Sequence, residues 1–175
     1  MKYLGSLLCF SLLNLFVVAQ NSAFTNAAKN AFLIYRLAEK KHIQPRLLDE
    51  QFSKDLFDLV LKKIDVNKRI FLQSEINDLE KYRSQLHIQI ANRKFDFIQQ
   101  LTAIYLQHLQ QLDTITENIC KQPFNLEVNE KYTVAEDTNY PLNPIQQKTK
   151  WAKQFKLTTL YTLAAMQDTI KKIPI

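Results

Sequence analysis

The stretch IDVNKRIFLQSEI, residues 64–76, decides between two kinds of helical protein. Asp65 is followed two positions on by Asn67, and an acidic helix start comes after it. A calcium loop between two helices opens in this way. It needs oxygen ligands at its first, third and fifth positions, a glycine at the sixth and a glutamate at the twelfth. Counted from Asp65, Asn67 suits the third position, but the fifth is Arg69, the sixth Ile70 and the twelfth Ile76. Three essential positions fail, and Arg69 would bring a positive charge into the cage. The stretch is therefore expected to be an Asx-stabilised turn that ends one helix. Phe71 and Leu72 then plug the core, and Ser74 caps the next helix.

The rest of the chain fits a helical reading. It has 175 residues, the size of one domain, and a single glycine, Gly5. Hairpin turns, phosphate-binding loops and serine nucleophile elbows all draw on glycine, so these are excluded. Connections must be made by Pro, Asn and Asp. Five apolar stripes at helical spacing follow. They are Phe24, Ala28, Ala31, Tyr35 and Ala38; Leu48, Phe52, Leu56, Leu59 and Val60; Ile76, Leu79, Tyr82, Leu86 and Ile90; Leu101 to Ile119; and Ala152 to Ile170. Pro45 separates the first two. Asn143-Pro144 is a start signal for the last helix, with Asn as cap and Pro at the first helical position. Residues 122–142 form a mixed linker with room for one short helix. The expectation is an all-α bundle of about five helices, the one over 94–120 being the longest.

The N-terminus, MKYLGSLLCFSLLNLFVVA, has a basic start at Lys2, an apolar run from Leu4 to Val18, and small residues at Val17 and Ala19. This is the pattern of a secretory signal peptide over 1–19, cleaved after Ala19, with Gln20 as the alternative. It is too short to be a stop-transfer helix, so no stable membrane insertion is expected after cleavage. The mature chain, residues 20–175, keeps one cysteine, Cys120, and can form no internal disulfide. Cys120, at the end of the long fourth stripe, reads as a buried thiol, with a partly exposed one able to pair between molecules as the alternative.

The chain's charge of +6 shows no basic stripe interleaved with aromatics, so nucleic acid is not an expected partner. Glu39 and His42 have the spacing of a di-iron helix motif, but that site needs two such motifs and two more glutamates. His87 and His108 read as packing or rim residues. No metal and no cofactor is expected. Asp49, Glu50, Asp55 and Asp58 read as helix-start charges. The mature serines are Ser22, Ser53, Ser74 and Ser84, and none is set out as a nucleophile. Ser53 and Lys54 are adjacent on a helix and cannot face each other.

A family resemblance runs through the same residues. The segment from His42 to Leu86 resembles the N-terminal helical domain of the tail-specific, or C-terminal processing, peptidases. The shared features are a His-x-x-Pro step at His42 and Pro45, Leu48-Asp49 before Phe52-Ser53, and Asp65 with Asn67-Lys68. Phe71-Leu72, Ser74 and Tyr82-Arg83 follow in order. Further on, PFNLEVNEKY and the tryptophan-led basic helix WAKQFKLTTLYTL, starting at Trp151, are similar too. The resemblance spans 24–170. It implies a scaffold domain preceding a PDZ module and a Ser–Lys protease core, in periplasmic enzymes that trim proteins from an apolar C-terminus. The segments that would carry the catalytic residues do not occur before Ile175, so no catalytic, cofactor-binding or metal residue carries over. The chain is thus expected to be a non-catalytic scaffold domain, as a fragment or truncated form of such an enzyme, with the PDZ and protease domains as its partners. The alternative is a free-standing periplasmic adaptor or chaperone-like protein with a protein partner of its own.

Overall fold

A computed structural model describes residues 4–128 and 139–171, with side chains described for 23–128 and 139–167. It is all-α. Six α-helices occur among the described residues: α1 (Leu4–Lys41), α2 (Glu50–Ile64), α3 (Gln73–Leu79), α4 (Leu86–Ala91), α5 (Asp96–Cys120) and α6 (Pro144–Lys171). A 3₁₀ turn, Glu80–Tyr82, follows α3. Among the described residues there is no strand. No helix there is long and apolar enough to cross a membrane. The linker over 122–142, which allows for a short helix, is non-helical where it is described, and its residues 129–138 lie outside the described residues.

Two helix lengths differ from the sequence expectation. The helix at the fourth stripe starts at Asp96, has 25 residues and is not the longest, since α6 has 28 and α1 has 38. Neither α1 nor α6 has a proline past its first turn or a glycine past Gly5, so nothing in either stops propagation. α1 runs through Ala19 without a break. The third stripe, 76–90, is not one helix: the chain tightens into the 3₁₀ turn after Leu79 and restarts at Leu86.

The chain divides into two compact units, Met1–Val60 with Leu79–Thr102, and Leu61–Asp78 with Ala103–Ile175. In the first, Phe57, Leu79, Leu86, Phe97 and Leu101 are buried, together with Ser53 and Gln89. Phe57 and Phe97 pack at 5.3 Å between ring centres, and Tyr82 meets Phe97 edge-on at 6.0 Å. In α2 the innermost face is Ser53, Phe57 and Leu61, one residue on from the expected stripe, while Leu59 is exposed. A one-residue shift is a 100° rotation in a helix. In the second unit the buried set is Leu61, Phe71, Ile76, Ile119 and Pro141, with Asp65, His108 and Gln147 as buried polar residues.

Helix ends follow local chemistry. Asp49 caps α2 by accepting the Phe52 N–H at 2.8 Å. Asn143 caps α6 in the same way, accepting the Gln146 N–H at 2.9 Å, with Pro144 first in the helix. Ser74 does not cap α3. It is exposed, and Leu72 takes the cap position. The Glu75 side chain, three residues on, reaches back to accept the Leu72 N–H at 2.8 Å, which is half of a capping box.

Candidate functional site

The family-motif residues fall into two clusters, one in each unit. In the second unit the Asp65 turn is the better defined. Asp65 is 4% exposed, and its carboxylate accepts three backbone N–H groups, from Arg69 and Ile70 at 2.8 Å and from Phe71 at 3.1 Å. Both oxygens are therefore committed to the chain's own backbone, and no calcium-like cage is left. The turn also needs a left-handed residue, and Lys68 takes that place with φ 47°. Asn67 is exposed and Leu72 half-buried. Phe71 is fully buried, 6.3 Å from the Tyr105 ring and edge-on to His108 at 6.4 Å.

A polar chain ties this turn to α5 and α6. Glu75 Oε2, which already accepts the Leu72 N–H, lies 2.7 Å from His108 Nε2, and Oε1 lies at 2.9 Å. Gln147 donates one amide N–H to the Ile70 carbonyl and lies 3.3 Å from His108 Nδ1. This pattern assigns the imidazole proton to Nε2, donated to Glu75, with Nδ1 accepting from Gln147. His108 is 6% exposed, and among the described residues it is bonded to no hydroxyl or thiol. It closes a polar core with Glu75 and Gln147. Trp151 stacks on Phe155 at 5.9 Å and lines, with Ile70, His108 and Gln147 among others, a gap of about 10 Å³. Arg69 donates to Gln154 and Lys150 to the Lys68 carbonyl, so α6 grips the turn along its length.

In the first unit, His42 follows α1. Its N–H bonds to the Ala38 carbonyl, and its Nδ1 lies 2.8 Å from the Gln44 carbonyl oxygen and 3.1 Å from the Gln44 nitrogen. His42 and Pro45 are exposed and Leu48 is half-buried. Phe52 packs edge-on to Tyr35 at 6.5 Å, beneath the Arg46 guanidinium at 5.9 Å. Arg46 also pairs with Asp55 and, with a bond from Gln51, holds that carboxyl below its ordinary range. Glu50 is lowered by its ion pair with Lys54. Tyr82 donates to Gln100 Oε1 at 3.0 Å, and Arg83 pairs with Asp58 at 2.7 Å, which raises the guanidinium pKa. Asp55 and Asp58 are thus ion-pair partners of Arg46 and Arg83, beyond the role of helix-start charges.

Among the described residues, Ser53 is the one serine that meets a possible base. Its Oγ lies 2.7 Å from His87 Nδ1 and accepts the His87 backbone N–H at 2.8 Å, with the Asp49 carbonyl at 3.2 Å. A nucleophile must be reached by its substrate, and Ser53 is 0% exposed. Its oxygen already serves the first turn of α4, where the N–H groups have no partner inside the helix. The pair is a clamp between α2 and α4.

The only free cysteine among the described residues, Cys120, is exposed, not buried. Its neighbour Ile119 takes the inward position at the end of α5. Among the described residues no group of three or more His, Cys, Asp or Glu side chains is placed to hold a metal ion. Glu39 is engaged by Arg36 and Tyr35.

These features define a helical domain whose polar clusters serve its own backbone and side chains. A family model described as the tail specific protease N-terminal domain matches residues 33–174, and the chain belongs to that family. No curated protein and no solved structure matches it.

Proposed function

We propose that this chain is the non-catalytic, N-terminal scaffold domain of a periplasmic tail-specific serine peptidase. The observation that carries the reading is the family match over 33–174. Supporting it, Asp49 is used as a helix cap, Asp55 and Asp58 in ion pairs, and Ser53, Asp65, Glu75 and His108 in hydrogen bonds within the fold. The second half of α6 leaves Leu160, Tyr161, Leu163 and Met166 exposed, an apolar strip suited to contact with a protein. The role is steric: to brace a PDZ and Ser–Lys core and limit what reaches it. Export rests on the apolar run before Ala19, and protein recovered from cells should begin at Gln20; a start at Met1 refutes export by this route.

The test of the scaffold role uses a PDZ and Ser–Lys core prepared without its helical domain. The purified chain should co-elute with that core and change its rate of cleavage of an unfolded protein. A core that neither binds the chain nor changes its rate contradicts the reading.

A further inference from the structure

The first unit contains a cavity of about 260 Å³ that no feature of the family motif accounts for. Eleven of its thirteen lining residues are apolar, and the other two are Gln89 and Lys94. The space exists because α1 presents Ala27, Ala28 and Ala31 to it, where larger side chains would fill it. Leu56 and Val60 of α2 form part of the opposite lining, and the stacked pair Phe24 and Phe95, 5.7 Å apart, contributes to the wall. Ala28 is buried while Ala27 and Ala31 are exposed, so the cavity opens beside α1.

An apolar cavity of about 150 Å³ already stays dry and takes a benzene-sized guest. Pockets for larger ligands begin at about 300 Å³. The volume therefore suits one short acyl chain and is too small for a two-chain lipid. Charge selects the head group. Lys94 is exposed, and among the described residues its ammonium has no carboxylate partner. Gln89 is 8% exposed and spends its carboxamide oxygen on the Phe97 N–H at 3.1 Å, which leaves its NH₂ as the donor of that side chain. The two polar groups at the wall thus both offer hydrogen to an acceptor, and one is cationic.

We propose that this cavity binds a single-chain anionic amphiphile, a medium-chain carboxylate, with the tail among the alanines and phenylalanines and the carboxylate on Lys94. Leu86 and Phe97, which wall the cavity, belong to the unit's buried core. Occupancy would therefore stiffen the packing of α1 on α4.

The experiment is a calorimetric titration of the purified protein with decanoate, with decylamine and decanol as controls. Decanoate should bind saturably at one site and raise the melting temperature. Decylamine should bind at least tenfold more weakly. Lys94→Gln should weaken decanoate about tenfold and leave decanol unchanged. Ala28→Leu should abolish binding of both. Should that variant fail to fold, Ala31→Leu at the open rim, where no core contact is strained, should reduce both at least tenfold. Absence of saturable decanoate binding, decylamine binding as tight as decanoate, or indifference to both Lys94→Gln and Ala31→Leu overturns the proposal.

Discussion

Replacing Asp65 by alanine should be among the most damaging single changes in this chain, although the side chain is small and polar. The carboxylate serves three backbone donors at once. The Phe71 N–H sits under a fully buried residue and has no route to water once its acceptor is gone, a loss of about 1–3 kcal/mol. The Arg69 and Ile70 donors are half-buried and rehydrate in part, so each adds about 1 kcal/mol. The sum is roughly 3–5 kcal/mol, a large share of the ~5–15 kcal/mol that holds a typical domain folded. Asp65→Asn keeps one acceptor oxygen but turns an N–H₂ toward the remaining donors, so it should recover less than half of the loss. Urea unfolding followed by circular dichroism and by the fluorescence of Trp151, the sole tryptophan, measures both. Because the carboxylate is already occupied, millimolar calcium should leave the melting temperature unchanged. A loss below about 1 kcal/mol for Asp65→Ala, or a rise of several degrees with calcium, refutes the reasoning.

Phe71→Ala empties a fully buried ring site and should cost about 3–5 kcal/mol in the same unfolding assay; a cost below about 1 kcal/mol would show that the ring is not packed as described. Ser53→Ala removes the acceptor for the His87 N–H and should cost about 1–3 kcal/mol, with helicity retained; unchanged stability would mean that water replaces the hydroxyl. Asp55 has its folded pKa lowered by Arg46, so its contribution is present above the ordinary aspartate value of about 3.9 and is lost as pH falls through the lower folded one. Arg46→Gln should therefore lower the melting temperature slightly at pH ~6, and the difference should shrink as pH falls below the ordinary aspartate range. A difference that persists in acid would assign the effect of Arg46 to its contact with Phe52.

Much of the fold could be read from the sequence because its signals are local. Asn143-Pro144 predicts a helix start from side-chain reach and ring geometry alone, and the structure shows that cap. The Asp65 turn was legible as an Asx turn because its arginine and isoleucines fail as calcium ligands. The inner face of α2 was not legible, since Ser53 reads as polar until His87, 34 residues away, is seen to satisfy it. The cap of α3 was assigned to Ser74 because serine is a strong cap type, yet Glu75 does that work from inside the helix. In a chain with one glycine, the left-handed positions fall to Lys68 and Arg93, residue types that carry no sequence signal for such a conformation. Gln147 and Glu75 give no signal of their own, because a glutamine or glutamate on a helix face ordinarily meets water. Only the tertiary approach of α6 and α3 to His108 shows what they do.

In the proposed scaffold role, these clusters hold the helices together and perform no chemistry. The purified chain mixed with an unfolded substrate protein bearing an apolar C-terminus tests this most directly, with mass spectrometry reading any new peptide ends. The account predicts an intact substrate, and any trace cleavage should persist when Ser22, Ser53, Ser74 and Ser84 are all changed to alanine, which marks a contaminant. Cleavage that is abolished by Ser53→Ala alone, with the variant still folded, would make the Ser53–His87 pair a catalytic one and contradict the account.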